Sequence, residues 1–178
     1  MFYFMSDVKL VLNIKKMRKI RKYGEEVLRK KSKEVEKIDT QLLKLIESMK
    51  KTLVYYKGLG LAACQVGVLK RVIVALDQKT KKIITAINPE IVETSGQDID
   101  MEGCLSFPEI YFSIKRPKKA TLKGINEKGK EFIYEGSGVL GRCFCHEVDH
   151  LNSILIIDYA TEEEKNYWKE KIDKIKNK

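Results

Sequence analysis

Gly138-Val139-Leu140-Gly141-Arg142-Cys143-Phe144-Cys145-His146-Glu147-Val148-Asp149-His150-Leu151-Asn152 is the stretch on which the reading of the whole chain turns. Leu140, Phe144, Val148 and Leu151 recur at helical spacing, which predicts a helix with one buried stripe. His146 and His150 lie four positions apart, about 40° apart around that helix and on one side of it. Their imidazoles can reach one metal ion. Glu147 is rotated toward the apolar stripe, close enough to handle a metal-bound water without having to ligate. This is the H-E-x-x-H arrangement of metallohydrolases. The chain has two histidines, and both are here. A pair of surface histidines among charged neighbours is the bland alternative, but Cys143, Phe144 and Leu151 place the helix in the interior.

A catalytic site of this kind needs a third protein ligand and an open position. No further histidine exists downstream. Asn152 and Ser153 break the longer three-histidine pattern. Glu162, Glu163 and Glu164 stand at the start of a helix, where carboxylates complement the dipole. The remaining candidates are cysteines. The four (Cys64, Cys104, Cys143 and Cys145) include no C-x-x-C pair and read as reduced thiols. Cys143 suits a small core position one turn before His146, and Cys145 is awkwardly adjacent to His146. Cys104 lies in Glu102-Gly103-Cys104-Leu105-Ser106-Phe107-Pro108, where Gly and Pro predict a stiff, exposed segment and not a central strand. A lone Cys is more commonly a small core hydrophobe, so spacing leaves the third ligand open.

A third segment, Gly58-Leu59-Gly60-Leu61-Ala62-Ala63-Cys64-Gln65-Val66-Gly67, combines small residues that permit close backbone approach with one long polar side chain, Gln65. It lacks the Lys-Ser/Thr of a phosphate loop. As structure alone it reads as a tight helix-to-strand loop, in which a buried Gln65 amide needs partners or a substrate oxygen.

Outward from these segments the periodicity is mixed. Residues 39–57 read as a helix, capped by Asp39 or Thr40 and ended by Gly58. Residues 71–76, 83–93, 110–114, 118–125 and 131–135 read as strands, with a hairpin turn from Asn126 to Gly129. Residues 154–157 read as a short strand. Thr161, with Glu164 three positions on, starts a final helix bearing Tyr167, Trp168, Ile172 and Ile175 on one side. The fold class is α+β. No apolar run approaches the ~20 residues of a membrane span. Lys plus Arg number 35 against 25 acids, but the +10 charge is spread along the chain. It reads as a solvated cationic surface with weak attraction for polyanions, not as a DNA site. Residues 1–16 join no motif. They read as an N-terminal extension, disordered or an upstream start before Met17, with 17–178 as one catalytic domain.

Together the three segments resemble the peptide deformylase family, whose motifs have the forms G-x-G-L-A-A-x-Q, E-G-C-L-S and Q-H-E-x-D-H. Here these stand at Gly58 to Gln65, Glu102 to Ser106 and Cys145 to His150, in the family's order. The resemblance runs from about Arg18 to the C-terminus. It implies antiparallel sheets packed around the helix that bears the histidines, with a C-terminal helix over 161–177. It implies a metal held by Cys104, His146 and His150, with Glu147 as general acid/base and Gln65 and the Leu105 N–H as oxyanion donors. Ferrous iron is the ion it implies, with zinc, nickel or cobalt as substitutes. The expected reaction is hydrolysis of the N-formyl group from the N-terminal methionine of new polypeptides in the cytoplasm, with transient ribosome contact. Gly58, Gly60 and Gly103 are then expected beside the substrate backbone, and Val139 and Cys143 beside the methionine side chain. The chain departs from the family's pattern at Cys145, where Gln is usual, and at Ser153, where Gly is common. Arg142 is a long charged residue near the expected methionine pocket. Rival readings are a zinc peptidase, which lacks a downstream third ligand, and a closed structural zinc site using Cys143 or Cys145, which lacks finger spacing.

Overall fold

Val72-Ile73-Val74-Ala75-Leu76 is apolar at every position because the strand it forms is covered on both faces. Ile73 and Ala75 face one apolar cluster, Val72 and Val74 the other, as a period of two demands. The structure is a computed structural model that describes residues 17–176. The expectation of an extension over 1–16 lies outside the described residues.

One cluster forms under helix α1 (Thr40–Tyr55). Its N-cap is Asp39, whose carboxylate accepts from Leu42 N–H at 2.8 Å. Leu42, Leu45, Ile46, Met49 and Leu53 form its buried stripe, and each large side chain contributes about 1.5–3 kcal/mol of transfer free energy. The helix ends differently from expectation. Lys57, at φ 53°, takes the left-handed position that Gly58 was expected to fill. Gly58 is needed for space instead: a Cβ there would lie 2.9 Å from Leu105 Cδ1 and 3.0 Å from Leu53 Cδ1.

The sheet is antiparallel. Strands β1 (Gly60–Ala62), β2 (Val72–Asp77), β3 (Lys82–Ser95), β6 (Lys119–Ile125) and β7 (Glu131–Ser137) lie in the order β1-β2-β3-β6-β7. Strands β4 (Asp98–Cys104) and β5 (Phe107–Arg116) form a separate two-stranded sheet. Helix α2 (Val139–Leu151) carries the histidines and packs against β1, β2, β6 and β7 over the second cluster, which holds Phe107, Phe112, Phe144 and Leu151. The β6–β7 turn closes at Asn126–Lys130 as expected, with Gly129 at φ 77°. Among the described residues no helix is long and apolar enough to cross a membrane.

Four expectations are corrected. Residues 154–157 are not a strand. Leu155, Ile156 and Ile157 are buried by a 3-10 turn, Ile156–Asp158, whose Asp158 accepts from Leu155 N–H and from Arg29. The final helix is two: α3 (Glu162–Tyr167) and α4 (Lys169–Lys176). They break at Trp168, whose indole N–H donates to Tyr111 O at 2.8 Å, and the break leaves Tyr167 exposed, off the expected stripe. The Cys104 segment lies outside any central strand, as expected, but it is not an exposed loop: it is the tight end of the β4–β5 hairpin, with Ser106 and Phe107 buried. The helix-to-strand loop at 58–67 itself contains the edge strand β1 and a 3-10 turn, Ala63–Val66.

Candidate metal centre

α2 is held at the centre of the fold because its apolar stripe meets the sheet, and this buries His146, Glu147 and His150. The β4–β5 turn brings Cys104 to the same place. Cys104 Sγ lies 3.2 Å from His150 Nε2, and His150 Nε2 lies 3.2 Å from His146 Nε2. Among the described residues these three form the one group of His, Cys, Asp or Glu ligand atoms within 4.8 Å of one another. A tetrahedral ion with bonds of about 2.1 Å to nitrogen and 2.3 Å to sulfur separates its ligand atoms by roughly 3.4–3.6 Å. The two separations from His150 Nε2 fall within a few tenths of an ångström of that range, and all three atoms lie within 4.8 Å of one another. Cys145 is not in the group, and Cys143 Sγ donates to Leu59 O at 3.4 Å. Burial pushes the Cys64 thiol up to about 12, and also raises Cys143 and Cys145.

The orientation of His146 is set by a residue to which sequence reasoning gave no role. Glu102 Oε1 accepts from His146 Nδ1 at 2.8 Å, which leaves Nε2 facing Cys104 and His150. Glu102 also accepts from Arg116 Nη2 and Nε (2.8 and 3.2 Å) and from Arg142 Nη1 (3.1 Å). Arg116 reaches on to Asp149 Oδ2 at 2.6 Å, and the Tyr159 hydroxyl donates to the same oxygen. Burial acts to raise Glu102, but bonds from His146 and Arg116 outweigh it and hold the carboxyl well below the usual range. Burial likewise opposes charge on His146, yet Cys104 and Glu102 raise its pKa well above that of free imidazole. His150 is driven the other way by burial and by His146. The negative groups that raise the pKa of His146 (Cys104 and Glu102) equally suit a metal cation in place of that proton, with His146 neutral. Arg142 turns to Glu102 and to Ile114 O at 2.9 Å, which gives it a structural task beside the site.

Glu147 Oε2 is buried with no hydrogen-bond partner among the described residues, and burial pushes the carboxyl up to about 7, with His146 opposing. The other carboxylate oxygen lies where Gly60 leaves room: a Cβ on Gly60 would come 2.3 Å from Glu147 Oε1 and 2.6 Å from Cys143 Sγ. A Cβ on Gly103 would meet the Tyr111 ring at 2.6 Å. Gln65 is buried. Its Oε1 accepts from Ala62 N–H at 2.8 Å, while Nε2 points at Cys104 Sγ (3.4 Å) and Ser106 Oγ (3.2 Å). Leu105 sits in the turn between Cys104 and Ser106. Val139 is about half exposed at the start of α2, one helical turn before Cys143.

Two histidines on a buried helix, a cysteine brought to them by the β4–β5 turn and an unpartnered glutamate next to the first histidine have the form of a metal-dependent hydrolase site. The comparisons narrow the class. The family model for polypeptide deformylase matches residues 17–166. Peptide deformylase 1 of Clostridium acetobutylicum is 50% identical over 150 residues, covering 84% of this chain and 99% of that protein. The peptide deformylase of Caldicellulosiruptor bescii is 44% identical over 163 residues, covering 89% and 97%. The crystal structure of a peptide deformylase from Legionella pneumophila superposes with a TM-score of 0.85 at 39% identity, covering 90% of this chain and 96% of that one. The chain belongs to the polypeptide deformylase family.

Proposed function

We propose that residues 17–178 form one catalytic domain that removes the formyl group from N-terminal formyl-methionine of new polypeptides, with Cys104, His146 and His150 as metal ligands and Glu147 as proton carrier. The activity is that of the family, an amidohydrolase acting on a linear amide. The observation that carries the residue assignments is the meeting of Cys104 Sγ and His146 Nε2, each 3.2 Å from His150 Nε2, beside a buried Glu147 with an unpartnered oxygen.

Cys104, His146 and His150 would hold a divalent cation, which would supply Lewis-acid chemistry to a water and to the formyl carbonyl. Glu147 accepts a proton from the attacking water, a task that its burial next to His146 and its unpartnered Oε2 suit. Gln65 Nε2 and the Leu105 N–H donate to the oxyanion as the carbonyl carbon becomes tetrahedral. Glu147 then returns the proton to the departing amine, leaving formate and a free amino terminus. Gly58, Gly60 and Gly103 keep the surrounding backbone close to the reacting amide. An acetyl group carries a methyl where formyl carries hydrogen, and in so tight a site that misplaces the carbonyl. Val139 and Cys143 border the methionine side chain, whose burial contributes roughly 1.5–3 kcal/mol.

Membership of the family, and not the donor set itself, is what supports ferrous iron in the cell, with zinc, nickel or cobalt as working substitutes that a thiolate and two imidazoles also accept. The +10 charge supports transient contact with the ribosome, and the reduced thiols support a cytoplasmic location. Anaerobic assay of formate release from a formyl-methionyl peptide tests the reading. Chelation should abolish turnover and added metal restore it, and the matched acetyl-methionyl peptide should not react. Comparable rates on formyl and acetyl peptides would refute the steric argument.

A further inference from the structure

The segment Ile20–Tyr23 ties together the two turns that face the metal ligands. Three consecutive residues each reach a different point. Arg21 N–H donates to Gln65 O at 2.8 Å, Lys22 Nζ donates to Leu105 O at 2.7 Å, and Tyr23 N–H donates to Ser106 O at 3.0 Å. The segment is itself fixed. Ile20 is buried, and the Tyr23 ring stacks on Phe107 with centroids 4.6 Å apart. The Glu25 carboxylate holds the Lys22 N–H at 2.8 Å and Arg21 Nη1 at 3.0 Å. Lys22 is thus the member of the trio that reaches the site with a charged side chain. With Glu25 engaged by Arg21 and by the Lys22 backbone, its ammonium is set on a carbonyl.

We infer that Lys22 is a positioning residue for the hydrolysis: seated on the Leu105 carbonyl, its ammonium fixes the backbone of the Cys104–Ser106 turn and places positive charge where the reaction gathers negative charge. This rests on the reading of Leu105 N–H and Gln65 as oxyanion donors. Two peptide planes flank Leu105. One carries the N–H and the other the C=O, and they turn relative to one another only through the Leu105 dihedrals. Lys22 anchors the C=O plane. The Ser106 N–H on Cys104 Sγ, at 3.4 Å, and the Leu105 side chain against Gly58 restrain the rest of the turn. A donor held in this way needs no reorganisation as the oxyanion forms. The Lys22 ammonium also attracts the Cys104 sulfur, which opposes the effect of its burial. The same lysine therefore joins the metal-ligand side of the site to the oxyanion side.

Lys22→Met keeps most of the apolar stem and removes the charge and the hydrogen bond. In the metal-loaded enzyme, kcat on a formyl-methionyl peptide should fall about tenfold, since small misplacements of a reacting geometry are costly in rate. KM should stay within about twofold, and metal per chain and melting temperature should hold, because the donor matters chiefly in the transition state. Lys22→Arg should recover most of the loss. Gln65→Leu, measured alongside, separates the two levels of the argument. If Gln65→Leu loses turnover while Lys22→Met keeps it, the inference about Lys22 falls and the site reading stands. If both keep full turnover, the oxyanion reading itself falls. A loss of kcat that tracks lost metal or a lowered melting temperature would make Lys22 merely structural and overturn the inference. Lys22→Gln serves the same comparison if Lys22→Met fails to accumulate as folded protein.

Discussion

The two faces of the five-stranded sheet are buried to similar depth and filled on opposite principles. Toward α1 the sheet meets Leu42, Leu45, Ile46, Met49 and Leu53, an apolar stripe that stabilises through area removed from water. Toward α2 the apolar packing of Phe144 and Leu151 surrounds a run of charge: Asp149, Arg116, Glu102, His146 and then Glu147. Each of those groups, buried alone, is costly. Almost all are offset by partners, and Glu102 alone accepts four hydrogen bonds. The exception in that run is Glu147 Oε2, and one turn along the helix from His146 the Nδ1 of His150 likewise finds no partner among the described residues. The difference shows where the molecule gives up stability. One face holds the fold, and the other uses the rigidity so gained to keep unsatisfied groups in place for chemistry.

The largest expected effect breaks the α2 face where it is least satisfied. Glu147→Gln should keep its metal and lose about 10²–10⁴ in turnover, the range attributable to general acid/base work. The same variant sharpens the energetic side of the comparison. In metal-stripped protein, burial raises the Glu147 carboxyl from 4.5 to about 7. The folded state then holds this proton more tightly than the unfolded chain. That contribution is fully present below about pH 4.5 and is lost as pH rises through about 7. Between about pH 5 and pH 8 the stripped parent should therefore lose melting temperature relative to stripped Glu147→Gln, since other groups such as His150 act equally in both. Equal slopes in the two proteins would remove Glu147 as the cause.

On the opposite face, Ile46→Ala should cost about 2–5 kcal/mol of stability by leaving a cavity under α1. Denaturant titration checks the loss, and kcat of the folded enzyme should stay at the parental value. A matching fall in kcat would show that the α1 face also positions the site.

Glu102→Gln comes next in size. It keeps the shape but removes the carboxylate that orients His146, and it leaves Arg116 and Arg142 with a neutral partner. Losing such a partner typically weakens metal binding by about 10–100-fold, which competition against a chromophoric chelator would read. Unchanged affinity would mean that α2 packing alone orients the imidazole.

These three positions differ in how far the sequence reveals them. The stripe of α1 and the histidine pair of α2 are periodic within one helix, so a local pattern suffices, and the run at 71–76 announces a strand, whose burial on both faces the fold then shows. The resemblance supplied the placing of Cys104, which periodicity left open among four thiols. The task of Glu102 was not legible. Its partners lie 14, 40 and 44 positions away, and only the folded chain brings them together. Its one local signal was an acid two residues before a cysteine. The bonds of Arg142 to Glu102 and to Ile114 O were hidden for the same reason, since those partners lie 40 and 28 positions away. The apolar run at 154–157 and the stripe at 167–175 misled because burial was taken to imply a regular element. A 3-10 turn fixed by Arg29 and Asp158 buries the first, and an indole hydrogen bond to Tyr111 O interrupts the second.

The smallest expected effect lies at the end of α2, where the catalytic helix meets ordinary capping. Ser153 N–H donates to His150 O at 3.2 Å and Ile154 N–H donates to Asp149 O at 2.9 Å, the bond pair of a Schellman ending. Ser153 occupies the left-handed position of that motif at φ 64°. Glycine suits this position because a Cβ there meets the neighbouring carbonyl, a strain of about 1–2 kcal/mol. Ser153→Gly relieves it but adds freedom to the unfolded chain, which takes back roughly 0.4–1 kcal/mol. The bond from Ser153 Oγ to Asn152 O is also lost, while that from Arg29 to Ser153 O uses the backbone and survives. The net expectation is a gain of a few tenths to about 1 kcal/mol, or roughly 1–4 °C in melting temperature for a chain of this size. Metal content and kcat should not move, because His150 is already fixed by the helix and by Cys104. A drop in melting temperature would show that the Ser153 hydroxyl, and not the backbone ending, holds this end of the helix. A change in kcat would show that the freedom of the turn reaches His150, and would bring the cap into the charged face of the comparison.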